Sequence, residues 1–385
     1  MPWNEVSTMS LRLEFVSLAN VEGANMRDLC RRFGINHNTG YKWLQRFRQG
    51  GQEALHDHSR RPQTSPNCTS QEVEQTILQL REEHPAWGPR KIKALLPQDN
   101  QSPAVSTIAT ILKRNGKIDP AESPKHKSWQ RFEAESPNAQ WQMDFKGHLP
   151  LLQGGRCHPL TVLDDYSRFL VALRACRHET EAIVQNELTS AFRLYGLPKR
   201  MIMDNGAPWG HSPEHSYTPL TVWLIRLGIS VGHSRPRHPQ TNGKDERLHR
   251  TLNSELITRT VLLNISDSQK HFDPWRDTYN CQRPHEALGM ATPASRYHPS
   301  PREFPEVLPA IKYDSPCATR KVQEKGELSF KGREIRVPRA FRGYTVGICA
   351  TTTDDLYELF FCHQRIGIAD LRSGKIERTE TVPVC

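Results

Sequence analysis

The sequence predicts an α/β core on a mixed sheet, preceded by all-α units and followed by a small β-barrel. Three observations carry that expectation. Residues 137–300 run strand-strand-strand-helix-strand-helix-strand-helix, the order of a mixed sheet with helices packed on it. Residues 1–55 and 69–118 show only helical spacing of apolar residues. Residues 315–378 show short alternating runs separated by Gly or polar turns. With 385 residues the chain is too long for one ordinary domain.

In 1–55, Leu11, Phe15 and Leu18 give one apolar stripe; Met26, Leu29 and Phe33 give a second, ended by Gly34. After the turn Ile35-Asn36-His37-Asn38, a third helix carries Tyr41, Trp43, Leu44 and Phe47. This is a helix-turn-helix pattern, whose second helix enters the major groove by its N-terminal part. Asn38, Thr39, Lys42 and Arg46 are the candidates to face DNA. A plain three-helix bundle is the alternative. A polar, Pro-rich linker follows over 56–69.

In 69–118, Thr69-Ser70-Gln71-Glu72 caps a helix carrying Val73, Ile77 and Leu80. A second helix opens at Trp87-Gly88-Pro89 and a third at Ser106. This is a second helix-turn-helix candidate, with Arg90 and Lys91 as possible DNA contacts. A solvated surface charge explains either residue equally well.

The core elements follow in order. Ala139–Phe145 is a strand, and residues 160–172 form a hairpin turning near Tyr166-Ser167. Glu179–Tyr195 is a helix, Arg200–Met203 a strand, Leu220–Leu227 a helix and Ile229–Val231 a strand. A last helix starts near Asn242. On it Leu248, Leu252 and Leu256 make one inward stripe. Glu246, two residues before Leu248, lies about 200° around the helix and points away.

Three acids carry the chemistry. Asp144 ends one apolar strand, Asp204 follows another, and Glu246 rides the first turn of the last helix. Each has an ordinary explanation alone: a turn aspartate, an Asp-Asn-Gly turn, a capping charge. Together, brought into one place, they make an oxygen site for divalent metal. Two Mg²⁺ or Mn²⁺ ions about 4 Å apart can activate a hydroxyl and stabilise the leaving oxygen of a phosphodiester. Arg235, Arg237, His238, Gln240, Asn242 and Lys244 crowd the segment before Glu246, a dense donor set for phosphate. Asp165 reads as a hairpin-turn residue.

The net charge is +10, which suits a polyanionic partner and is weak on its own. Nine cysteines with no close pair argue against a disulfide scaffold or Cys-rich zinc site and fit a reducing compartment. No signal peptide or membrane-spanning run is visible, so a cytoplasmic protein with no membrane partner is expected.

The motifs Trp141-Gln142-Met143-Asp144, Asp164-Asp165-Tyr166-Ser167-Arg168, Asp204-Asn205-Gly206, Ser234–Leu256 and Tyr279–Leu288 resemble the integrase core of DDE transposases from bacterial insertion sequences, related to retroviral integrases. Leu29–Ile35 and Thr39–Leu44 resemble that family's DNA-binding leader. The resemblance implies an RNase H-like core and a metal-binding triad of Asp144, Asp204 and Glu246. It also implies cleavage at the ends of a mobile DNA element and joining of the 3′-hydroxyl ends to target DNA. Two ends call for a homo-oligomer on paired ends. One departure is the spacing: Glu246 follows Asp204 by 42 positions, longer than is common in the family, with the extra length placed in Trp209–Ser216. A DNA-binding regulator and a metal nuclease without strand transfer are the competing readings.

Overall fold

The computed structural model describes residues 7–57, 69–97, 102–118, 133–210, 217–233, 243–313, 317–373 and 375–377. The chain forms two compact units, Met1–Cys68 and Thr69–Cys385.

In the first unit, α1 (Thr8–Ala19), α2 (Met26–Arg32) and α3 (His37–Gly50) bury Phe15, Val16, Cys30, Trp43, Leu44 and Leu55 against one another. Asn25 and Asn36 cap α2 and α3 with their side-chain oxygens, satisfying first-turn N–H groups. Gly40 lets α3 approach closely, since a Cβ there would come within 2.6 Å of Cys30 Sγ.

The second unit opens with α4 (Gln71–Glu83), α5 (Pro89–Leu95) and α6 (Val105–Arg114), packed around Ile77, Ile92, Ile108, Ile111 and Leu112. The central sheet follows: β1 (Gln140–Phe145), β2 (Leu149–Pro150), β3 (Arg156–Asp164) and β4 (Leu170–Cys176), then α7 (Glu181–Tyr195), β5 (Arg200–Met203), α8 (Pro219–Arg226) and β6 (Ser230–His233). Helices α9 (Gly243–Glu255) and α10 (Ile265–Cys281) complete it. β3 runs antiparallel to β1, β2 and β4; β1, β5 and β6 are mutually parallel in the order β1-β5-β6.

Strand alternation divides the sheet into two faces. Trp141 and Met143 point into a core shared with Val184, Leu188 and Phe192 of α7 and with α8. The opposite face carries Leu163, Leu170 and Leu173 against Leu248 and Leu252 of α9 and Phe272, Trp275 and Tyr279 of α10. Helix α10 lies outside the elements expected above. Pro274 in its interior reads as a helix break. Its apolar face and the Asn264 cap outweigh that local signal.

The tail comprises β7 (Ala318–Lys321), β8 (Glu327–Phe330), β9 (Arg333–Arg336), β10 (Thr345–Ala350), β11 (Leu356–Phe361), β12 (Gln364–Asp370) and β13 (Lys375–Glu377). The expected barrel does not form among the described residues. An open sheet in the order β13-β12-β11-β10-β7 stands beside a separate β8–β9 hairpin. The hairpin packs on the sheet, with the Phe330 and Tyr357 ring centroids 5.0 Å apart, and the central domain meets the tail beside it. Tyr217 packs on Phe341 with ring centroids 4.9 Å apart, and Val231 N–H donates to Gln364 Oε1 at 3.3 Å.

The cysteine expectation also needs correction. Cys317 and Cys349 form a disulfide with Cα atoms 4.4 Å apart. The register Ala318↔Ile348 places them opposite each other on β7 and β10, at the separation of a close antiparallel pair. Their 32-residue separation in sequence conceals a pairing that only the sheet creates.

Candidate active site

The site begins with a register. β1 and β5 are parallel neighbours with Gln142 opposite Ile202. Asp144 lies two residues further along β1 and Asp204 is the first residue after β5, close enough for the charge of Asp204 to act on Asp144. Asp204 is fixed by its turn: its Oδ1 accepts from the Gly206 N–H at 2.9 Å, and His233 Nδ1 donates to its carbonyl at 2.8 Å. A Cβ on Gly206 would press on the Asp204 carboxylate at 3.2 Å, so that turn favours glycine.

Burial raises the Asp144 pKa to about 7, reinforced by the charge of Asp204, with smaller contributions from Glu179 and Glu246. The Phe145 N–H opposes the shift. Thr161 of β3 donates from Oγ1 to the Asp144 carbonyl at 3.0 Å. The same oxygen meets His249 Nε2 of α9 at 2.9 Å, and His249 Nδ1 lies 3.9 Å from Asp144 Oδ2. Burial, with Lys146 nearby, lowers the His249 pKa to about 4, so the ring is neutral.

Glu246 is exposed at the start of α9, within electrostatic reach of Asp144. Its neighbour Asp245 is fully buried, and neither of its carboxylate oxygens has a hydrogen-bond partner among the described residues. Burial, Asp144 and Asp165 push the Asp245 pKa well above the usual carboxylate range.

The chemistry of this donor set fits a divalent cation. Converging acids that hinder one another's ionisation are relieved by positive charge between them. Oxygen donors of this kind suit Mg²⁺ or Mn²⁺. Among the described residues, no three His, Cys, Asp or Glu side chains stand close enough to cage an ion as they are.

Asp165 is not a plain turn residue. It is fully buried and accepts from the Ala134 N–H at 2.7 Å and from Gln142 Nε2 at 2.8 Å. It also ion-pairs with Lys244. Lys244 was expected on DNA, but its ammonium is turned inward onto Asp165. Lys91 is likewise drawn inside: its pKa falls to about 8 through burial and the nearby Arg283, against the opposing pull of Glu255. Arg90 lies 3.7 Å from Glu286. Lys91 turns inward because α5 packs there, a tertiary fact that a local charge pattern does not encode, whereas Arg90 and its ion pair with Glu286 stay exposed.

In the first unit Asn38 and Lys42 are exposed, and Thr39 and Arg46 half-buried. The Arg46 guanidinium sits 5.0 Å from the centre of the Trp43 ring. Arg235, Arg237, His238, Gln240 and Asn242 lie outside the described residues, as does most of Trp209–Ser216. The sequence reading missed Thr161, His249 and Trp209. His249 had a visible signal, since it stands three residues after Glu246 on the same side of a helix.

Family models agree with this layout. Two models of an integrase core domain match residues 134–239 and 227–293. The C-terminal domain of the IS481 family transposases matches residues 317–377. A helix-turn-helix domain matches residues 11–63 and a homeodomain-like domain residues 39–112. The chain belongs with the DDE transposases of bacterial insertion sequences. Its central sheet is therefore an RNase H-like integrase core.

An uncharacterized 39.2 kDa protein of insertion element IS476 from Xanthomonas euvesicatoria is 24% identical over 60% of this chain and 65% of its own length. A 31.7 kDa protein of IS407 from Burkholderia multivorans is 23% identical over 60% of this chain and 82% of its own length. The simian T-cell lymphotropic virus intasome, in complex with a phosphatase regulatory subunit, overlaps 79% of this chain and 98% of its own at 15% identity. Its TM-score is 0.37, and the assignment does not rest on it. Among the described residues, no helix is long and apolar enough to cross a membrane.

Proposed function

We propose that the protein cleaves phosphodiester bonds at the ends of a mobile DNA element and transfers the freed 3′-hydroxyls to target DNA. Asp144, Asp204 and Glu246 would hold two Mg²⁺ or Mn²⁺ ions. The observation that supports this best is the placement of Asp144 near the end of β1 and of Asp204 just past the end of the neighbouring parallel strand β5, with the Asp144 carboxyl pushed up towards neutrality. Divalent ions bound there would polarise the scissile phosphate and the attacking oxygen.

The residues of the chain do the rest by positioning. The Asp204 turn and Thr161 fix the carboxylates. The Lys244–Asp165 pair anchors the first turn of α9, and with it Glu246. DNA would be gripped by Asn38, Thr39, Lys42 and Arg46, and by Arg235, Arg237, His238, Gln240 and Asn242 before α9. Lys91 and Lys244 are drawn inward instead, and Arg90 is engaged by its exposed ion pair with Glu286. Joining two ends in concert requires two active sites, so a dimer or larger multimer assembles on paired ends, through symmetric contacts.

The test is incubation of the purified full-length protein with supercoiled plasmid, end DNA and Mg²⁺. End DNA covalently joined to plasmid supports the proposal. Nicking without joining would favour a nuclease, and binding without either would favour a regulator.

A further inference from the structure

We infer that His249 is a nitrogen ligand to the ion held by Asp144, an addition to the three carboxylates. This rests on the metal site proposed above and goes beyond it. Thr161 fixes the tautomer of His249. Its hydroxyl has one proton, and that proton is donated to the Asp144 carbonyl at 3.0 Å. The 2.9 Å contact with His249 Nε2 can then be made only with the imidazole as donor. Nε2 carries the hydrogen, so the neutral form of the ring has its lone pair on Nδ1.

That lone pair stands 3.9 Å from Asp144 Oδ2. With Asp144 ionised, two acceptors face each other, and a positive centre between them satisfies both. Adjacent ligands of an octahedral ion, with bonds of about 2.1 Å, are about 3 Å apart. Closing the gap needs under about 1 Å of side-chain rotation by that geometry. The Nε2–H to a hydroxyl that is itself held by backbone is the usual way a ligating histidine is oriented. Helix α9 supplies a second, independent pointer. Glu246 and His249 are three residues apart and so share a helix side. A Glu-x-x-His pair of this kind is a recurrent way for one helix to offer two ligands to one metal centre.

A nitrogen donor has a consequence that carboxylates alone lack. Mg²⁺ gains little from imidazole, whereas Mn²⁺ tolerates it well, so His249 tilts the site towards Mn²⁺. Removing the ring lowers Mn²⁺ affinity by about tenfold and leaves Mg²⁺ affinity within about twofold.

The test is electron spin-echo envelope modulation on full-length protein loaded with Mn²⁺, beside Mn²⁺ titrations followed by the free-ion signal. Modulation from a directly coordinated ¹⁴N is expected in the unaltered protein, and its loss in His249→Ala and His249→Gln. Asp144→Asn should lose the bound ion. The unaltered-protein spectrum decides the matter even if a variant fails to fold. Asp144-dependent Mn²⁺ binding without nitrogen coupling overturns this inference and leaves the proposed function standing. Coupling that persists in both folded His249 variants overturns it too, because another imidazole would then be the source. Failure to bind Mn²⁺ in an Asp144-dependent way overturns the metal site and this inference together.

Discussion

The indole of Trp209 stacks on the ring of Phe145, with centroids 5.3 Å apart and planes inclined by 21°. Phe145 follows Asp144 directly, and Trp209 closes the turn that begins at Asp204. The stack therefore ties together the two segments that carry the first two acids, from the start of the loop whose length departs from the family's habit. Trp209 is almost wholly buried, so truncating it costs about 3–5 kcal/mol of stability. We expect Trp209→Ala to lower the melting temperature by several degrees and joining by more than about tenfold, whereas Trp209→Phe keeps most of both. Joining in Trp209→Ala at the unaltered rate would show that the stack does not position the acids.

The raised Asp144 pKa makes stability depend on pH with a definite sign. Folded Asp144 keeps its proton to about pH 7, while in the unfolded chain it is lost near pH 4. Between those values the folded state binds more protons, so stability falls as pH rises through the window. Asp245 acts in the same direction. In metal-free buffer the melting temperature should decline from pH 5 to pH 8, and less steeply in Asp144→Asn. Millimolar Mg²⁺ should raise it at pH 8 much more than at pH 5, because the ion binds the ionised form. A Mg²⁺ stabilisation of equal size in Asp144→Asn would place the ion elsewhere.

DNA affinity should separate the two helical segments. Lys42 is exposed on α3, whereas Arg90 faces Glu286 and Lys91 lies among Arg283 and Glu255. Lys42→Ala should weaken end-DNA binding severalfold and flatten its salt dependence by about one unit of slope. Arg90→Ala should change affinity by less than about twofold, the scale of an exposed ion pair. Fluorescence anisotropy across a salt series measures both. A larger loss from Arg90→Ala than from Lys42→Ala would reverse the assignment.

The parts of this fold that were legible in the sequence are those with a local period. Leu248 and Leu252 announced the inner face of α9, and the run Met201-Ile202-Met203 announced a buried strand ending at Asp204. What stayed hidden depends on chain segments meeting. Asp165 looked like a turn residue because its partners Ala134, Gln142 and Lys244 are remote in sequence. Cys317 and Cys349 become neighbours only once β7 pairs with β10. The tail divides into a sheet and a separate hairpin that packs on it, a split that strand alternation alone does not convey. Helical angle did place Glu246 outward, yet it gave no warning that Asp245 would be wholly buried, without a hydrogen-bond partner among the described residues.

That adjacent pair provides the sharpest test. The account makes exposed Glu246 the third catalytic acid and buried Asp245 a structural neighbour. The measurement is single-turnover joining of end DNA in Mg²⁺ for Asp144→Asn, Asp204→Asn, Glu246→Gln and Asp245→Asn, each checked for folding and end-DNA binding. The account predicts losses on the order of 1,000-fold or more for the first three, since each removes charge stabilisation from the reacting phosphate. It predicts a loss within about tenfold for Asp245→Asn, which keeps the side-chain shape and replaces a carboxyl that burial already favours in its neutral form. Near-normal joining by Glu246→Gln together with a dead Asp245→Asn would contradict it.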